Sequence, residues 1–104
     1  MAKYILSILR TQLAVVFSWG FHSPKAIADG LEFQVQGFLF KGIVKVLYDG
    51  GSDTFVVRLE QYDGSIYEEQ NEVYLDNLVD VIDGMVERTP DYEERVKKEY
   101  ELNA

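Results

Sequence analysis

Apolar positions recur along this chain first at helical spacing, then at every second residue, then at helical spacing again. Over residues 3–18, Leu6, Leu9, Leu13, Val16 and Phe17 fall on one helical side, with Ser7, Arg10, Thr11, Ala14 and Ser18 opposite them. The pattern predicts an N-terminal helix with one buried face, ended by Gly20. Ser23 before Pro24 predicts a short second helical turn that reaches Asp29 and closes at Gly30, with Trp19, Phe21 and His22 in the corner between the two.

From residue 31 to 69 the period changes to two, and the turn residues predict a register. A two-residue turn at Gln36–Gly37 pairs Val35 with Phe38, Phe33 with Phe40 and Leu31 with Gly42. A loop from Asp49 to Thr54 then sets Tyr48 against Phe55, Val46 against Val57 and Val44 against Leu59. A three-residue loop from Tyr62 to Gly64, with Gly64 left-handed, sets Leu59 against Tyr67. Each pairing keeps the apolar residues on one face, so the expectation is a four-stranded antiparallel meander. The other face is mixed: Glu32, Gln34, Lys41, Lys45, Arg58, Glu60 and Glu68 share it with Leu39, Ile43, Leu47, Val56 and Ile66. Five apolar side chains on adjoining strands make a candidate interface.

Helical spacing returns with Leu75, Leu78, Val79, Ile82, Met85 and Val86, predicting a helix packed on the sheet. Thr89, Pro90 and Asp91 restart the chain into a final helix over about residues 90–104. Its pairs Glu93–Lys97 and Glu94–Lys98 are well oriented, but Tyr92, Val96 and Tyr100 are a thin apolar stripe, so the helix is weakly anchored. The expected architecture is α+β in one domain spanning residues 1–104. It has an N-terminal helix, the meander, an acidic C-terminal helix and a short terminal helix, with the helices on one face of the sheet.

Charge changes this picture in the second half. Residues 1–48 balance to +3 and residues 49–104 to −11, which together give the net −8. Glu72, Asp76, Asp80, Asp83 and Glu87 recur at spacings of four, four, three and four, so a continuous helix would gather them into one acidic stripe. Such a stripe is either a solvated face or a surface kept for a basic partner. With 104 residues, 47% hydrophobic, the chain has ample material for one core. The absence of cysteine removes disulfides, thiolate metal sites and cysteine nucleophiles.

Lys3 and the apolar runs Ile5–Leu9 and Leu13–Phe17 resemble a secretory leader, with Ala26, Ile27 and Ala28 as an A-x-A triplet. Arg10, Thr11 and Gln12 interrupt the run and the triplet lies far from it, so a folded helix is the expectation. No stretch approaches the roughly 18 uninterrupted apolar residues of a membrane span, and a cytoplasmic location without membrane association is expected.

Candidate chemistry is sparse. His22 is the one histidine, so a catalytic role would need a serine and a carboxylate brought to it by folding, and adjacent Ser23 reads as a cap instead. Asp49, Gly50, Gly51, Ser52 and Asp53 resemble a calcium loop, with Glu60 at its twelfth position, but Gly51 and Thr54 stand where a ligand and a glycine are required. No phosphate-binding glycine motif occurs. Eighteen acids make any glycosidase-like carboxylate pair uninformative, and adjacent Glu68 and Glu69 point to opposite faces. Lys41, Lys45 and Arg58 lie opposite the aromatic face, and the net charge repels phosphate, so direct nucleic-acid binding is not expected.

Three functional expectations result. The leading one is a noncatalytic protein–protein interaction module without a cofactor, whose partner is another protein or a second copy meeting Leu39, Ile43, Leu47, Val56 and Ile66. A second has the stripe Glu72, Asp76, Asp80, Asp83 and Glu87 binding a basic protein in the manner of a DNA mimic. A third is a small-ligand pocket around Trp19, Phe21, His22 and Tyr48.

Overall fold

The computed structural model describes residues 1–88, and the terminal helix expected over about 90–104 lies outside the described residues. The chain opens with α1 (Ala2–Leu9), a 3-10 turn (Arg10–Gln12) and α2 (Leu13–Ser18). Five strands follow: β1 (His22–Ile27), β2 (Gly30–Gln36), β3 (Lys41–Asp49), β4 (Thr54–Glu60) and β5 (Ile66–Val73). The helix α3 (Leu78–Val86) closes the described part. The strands form one antiparallel sheet in the order β1-β2-β3-β4-β5. The α+β class and the meander are as expected, with five strands in place of four.

The added strand is the segment expected to be helical after Ser23. Ala26 and Ile27 pair with Leu31 and Gly30 across a two-residue turn in which Asp29 has a φ of 59°. Ser23 and Pro24 lie in a bulge between His22 and Lys25, with Ser23 at a φ of 56°. A proline is tolerated there because a bulge at a sheet edge does not require its missing N–H. Gly30 is required by close approach: a Cβ there would overlap the Val46 carbonyl oxygen on β3.

The expected single N-terminal helix is broken. Gln12 leaves helical geometry at φ −138° and ψ 59°, while the Thr11 hydroxyl donates to the Ile8 carbonyl at 2.6 Å, a local competitor of the helical ladder. The break resets the buried face. Ile5, Ile8, Leu9 and Val16 enter the core, whereas Leu13 and Phe17, expected inside, are 48% and 65% exposed.

One hydrophobic cluster fills the space between the inner sheet face and the helices. Leu31, Phe33, Val35, Val44, Val46, Val57 and Leu59 from the strands meet Ile5, Leu9, Trp19, Leu78, Ile82 and Val86. The β3–β4 register is the expected one, with Tyr48 opposite Phe55, Val46 opposite Val57 and Val44 opposite Leu59. Between β2 and β3 it differs by four residues: Val35 pairs with Gly42, Phe33 with Val44 and Leu31 with Val46. An even shift preserves the faces, which is why the core prediction survives a wrong turn. Residues 37–40 form a longer loop because they dock on the end of α3, where the Val86 carbonyl accepts from Leu39 N–H (2.9 Å) and Phe40 N–H (3.2 Å).

The last hairpin turns where expected. Gly64 has a φ of 91°, and the Gln61 N–H donates to the Ser65 carbonyl at 2.9 Å. Two irregularities then shift the β4–β5 register, one between Leu59 and Glu60 and one between Phe55 and Val57, so Leu59 faces Glu68 and not Tyr67. Tyr67, the extra residue of the first bulge, stacks its ring on Phe40 at 5.1 Å. Glu72, at a φ of 54°, lies in the second.

Candidate functional site

The sheet's outer face is ordered into rows by the strand register. Across all five strands, Lys25 pairs with Glu32, Glu32 with Lys45, Lys45 with Arg58 and Arg58 with Glu69, a charged row perpendicular to the strands. On one side of it runs the row His22, Gln34, Ile43, Glu60 and Ile66; on the other, Ile27, Gly30, Leu47 and Val56. Two ion pairs tie these groups together: Lys45 Nζ to Glu60 Oε2 at 3.1 Å, and Arg58 to Glu69 Oε1 at 2.9 Å. Both bridge neighbouring strands, and Glu60, the more enclosed, is 9% exposed.

The predicted apolar residues Leu39, Ile43, Leu47, Val56 and Ile66 all stand apart from the core cluster. Leu47 and Val56 are a directly opposed, half-buried pair. Ile43 is half-buried four residues before Leu47 on β3, and Ile66 is 57% exposed at the β5 edge. Leu39, 41% exposed in the β2–β3 loop, lines a shallow concavity of about 470 Å³ with Phe40, Lys41, Gln61, Tyr62, Asp63 and Tyr67. The apolar residues are therefore not one patch but two groups separated by the charged row. The sequence reading missed Lys25 and Glu69 in that row, because β1 read as helix and the β5 bulge moves Glu69, in place of Glu68, onto the outer face.

The acidic residues do not form the expected stripe. β5 extends to Val73 and α3 begins at Leu78, so Glu72 is in a strand bulge and Asp76 in the connecting turn. That turn is fixed by the Asn77 side chain, whose Oδ1 accepts from Tyr74 N–H at 2.8 Å. Asp80 is exposed in the first turn of α3, where a carboxylate complements the helix dipole. Asp83 and Glu87 face inward, 7% and 4% exposed. Asp83 Oδ1 accepts the indole N–H of Trp19 at 2.9 Å and its Oδ2 meets Arg88 Nε at 2.9 Å. Glu87 Oε2 accepts from Phe38 N–H at 3.2 Å, joining α3 to the β2–β3 loop.

The third group is dispersed as well. Trp19 is fully buried and stacked on Phe33 at 6.3 Å, with Phe21 against the same ring at 4.7 Å. His22 is exposed on β1, its Nδ1 2.9 Å from Ser23 Oγ, a contact between chain neighbours. Tyr48 lies by the opposite end of β2, where its N–H donates to Asp29 and its ring packs edge-on against Phe55. Trp19, bonded to Gln36, and Tyr48, bonded to Asp29, thus stand at opposite ends of β2, so the four are not gathered at one point. A groove of about 270 Å³ does open beside Phe21, lined by Leu6, Leu9, Arg10, Leu13, Phe17 and Pro24 among others.

In the β3–β4 loop, Asp49 Oδ1 accepts from Gly51 N–H at 3.0 Å, and Asp53 Oδ1 accepts from the Tyr48 hydroxyl at 2.6 Å. That hydrogen bond to Asp53 raises the Tyr48 pKa above its ordinary 10.0, with the negative charges of Asp53 and Asp49 acting in the same direction. The neutral phenol is the stabilised form, so its contribution is present below pH about 10 and is lost as pH rises through the folded-state value. A spectrophotometric titration at high pH is expected to contain a late tyrosine component that Tyr48→Phe removes. An unchanged curve in the variant would contradict the assignment.

Among the described residues, no helix is long and apolar enough to cross a membrane, and no group of His, Asp and Glu is placed to hold a metal ion. The chain matches no protein-family model, no curated protein and no solved structure.

Proposed function

We propose that this protein is a noncatalytic protein–protein interaction module that docks through the outer face of its sheet. The observation that carries the reading is the face itself: five strands wide, with the buried residues of the helices in the cluster on the other side. Antiparallel sheets often leave one face to water, and such faces read as polar alternation. This one carries Ile43, Leu47, Val56 and Ile66 beside a charged row already neutralised in part by Lys45–Glu60 and Arg58–Glu69. Pre-paired charges lower the cost of covering a surface, because ions held by their neighbours need less new compensation when water leaves.

The reading is tested with two variants in affinity capture from lysate of the native host at low and at high salt. Leu47→Glu places a charge on the central strand of the face, in the apolar row with Val56, and is expected to abolish capture of the bound partner. Phe17→Asp, on α2 and away from the face, is expected to leave capture intact. Equal capture by both variants, or loss through Phe17→Asp alone, rejects the outer face as the docking surface.

A further inference from the structure

The rows of the outer face are self-complementary, and this identifies a specific occupant. We propose that the face pairs with the same face of a second copy, about a two-fold axis lying between the two sheets and parallel to β3. The inference rests on the reading of the outer face as the docking surface and adds the partner and its orientation.

A two-fold axis along β3 lays β3 over β3, β2 over the partner's β4, and β1 over the partner's β5, with rows stacked on rows. In the charged row, Lys25 then lies over the partner's Glu69 and Glu32 over the partner's Arg58, each contact occurring twice. Four of the five row positions meet an opposite charge. The fifth, Lys45, meets its own copy on the axis, where Glu60 at 3.1 Å offsets its charge in each chain. Two residues to either side on β3, Ile43 and Leu47 also lie on the axis and meet their own copies, an apolar contact flanking the central lysine. Apart from the central lysine, the order +, −, +, +, − across the sheet reads as its own complement when reversed.

The alternative face-to-face symmetry fails the same test. An axis in that plane but perpendicular to the strands, passing through the charged row, places every member of that row over its own copy: Lys25 on Lys25, Glu32 on Glu32, Arg58 on Arg58 and Glu69 on Glu69. Like charges brought together across a drying interface are strongly unfavourable. Sheets packed face to face keep their strands within about 30° of parallel, which the axis along β3 permits. Five strands about 4.8 Å apart and roughly seven residues long give a face of about 20 by 23 Å in projection. With side-chain relief, two such faces fall at the lower end of specific interfaces.

The test uses the purified full chain alone. Its mass by light scattering is expected to rise with concentration from 12.0 kDa to twice that value, and Leu47→Glu is expected to weaken the dimer at least 100-fold while keeping a native circular dichroism spectrum. The chain has no cysteine, so single-cysteine variants report the symmetry. Facing sheets are about 10 Å apart, beyond a disulfide, and a short bis-maleimide is therefore the linker. Leu47→Cys, and independently Ile43→Cys, are expected to cross-link to themselves. Lys25→Cys and Glu69→Cys are each expected to link poorly alone, their copies being about 20 Å apart, but efficiently with each other in an equimolar mixture. Self-linking of Lys25→Cys and Glu69→Cys without mixed linking overturns the axis. A single-chain mass at all concentrations overturns the dimer, whether the face then meets another protein or residues 89–104 of its own chain. In that case capture lost through Leu47→Glu still supports the docking surface, whereas capture unaffected by it removes both.

Discussion

Trp19→Ala is expected to destabilise the fold by about 3–5 kcal/mol, measured by denaturant unfolding followed by circular dichroism. Trp19 is fully buried, stacks on Phe33 and lies against both Phe33 and α3. Its removal leaves a cavity beside Phe33 in the core cluster, and it also strands a buried carboxylate. Asp83 would lose the indole donor at 2.9 Å and keep only the contact with Arg88, which is largely exposed. The same contact can be broken from the opposite side. Asp83→Ala leaves the indole N–H buried without its acceptor, at a cost of about 1–3 kcal/mol. In a Trp19→Phe background, where no donor remains, the cost of Asp83→Ala is expected to fall, and the difference is the coupling between the pair. Equal costs in both backgrounds would show that the hydrogen bond contributes nothing beyond packing.

Gly37→Ala is expected to be the most damaging addition of a single methyl group in the loops of the described residues, because Gly37 is buried. A Cβ at Gly37 would overlap the Val86 carbonyl oxygen and lie 2.7 Å from Val86 Cγ1 and 2.9 Å from the carbonyl carbon. That carbonyl is the acceptor for Leu39 N–H and Phe40 N–H, so relief by separation breaks the contact between the β2–β3 loop and the end of α3. Overpacking of this kind costs about 1–3 kcal/mol. Hydrogen exchange should place the effect at Leu39 and Phe40 first. At Gly84, where nothing lies within 4 Å of an added Cβ, alanine is expected to be neutral or stabilising through its higher helix propensity. Equal effects at the two glycines would refute the steric account.

The residues that were legible in the sequence are those whose face is fixed by a period of two. Val44, Val46, Val57 and Leu59 are buried as expected, and their pairing across β3–β4 is the expected register. The β2–β3 register moved by four residues without exchanging faces, since parity, not turn length, decides which side a strand residue occupies. Bulges break that rule. The odd shift at Leu59–Glu60 moved Glu69, in place of Glu68, to the outer face, and no local residue type announced it. β1 was illegible because Ser23–Pro24 is a good helix start by local chemistry, while the strand is imposed by pairing with Glu32, Leu31 and Gly30. Local signals set a preference and tertiary pairing overrode it.

The acidic residues show a different failure. Their spacing of three and four was a true helical signal for Asp80, Asp83 and Glu87, but spacing says nothing of what a carboxylate faces. Asp83 and Glu87 are turned inward by Trp19, Arg88 and the Phe38 N–H, partners that are 64, 5 and 49 residues away in sequence. A charged residue in an apolar helix face was the available clue. Asp83 sits one position after Ile82 and two before Met85, within the buried side, where a carboxylate is tolerated only with donors.

The bulges at the two rims of the sheet bear on how association ends. β1 carries Ser23 at a positive φ followed by Pro24, and β5 carries two bulges with Glu72 at a positive φ. A rim interrupted in this way offers no long run of evenly spaced amide and carbonyl groups to an incoming strand. Growth by adding sheet to sheet, the route to fibres, is therefore discouraged at both sides. A contact between flat faces related by a two-fold axis uses each face once and leaves nothing to propagate. The irregular rims therefore protect the sheet against strand-by-strand growth at either edge.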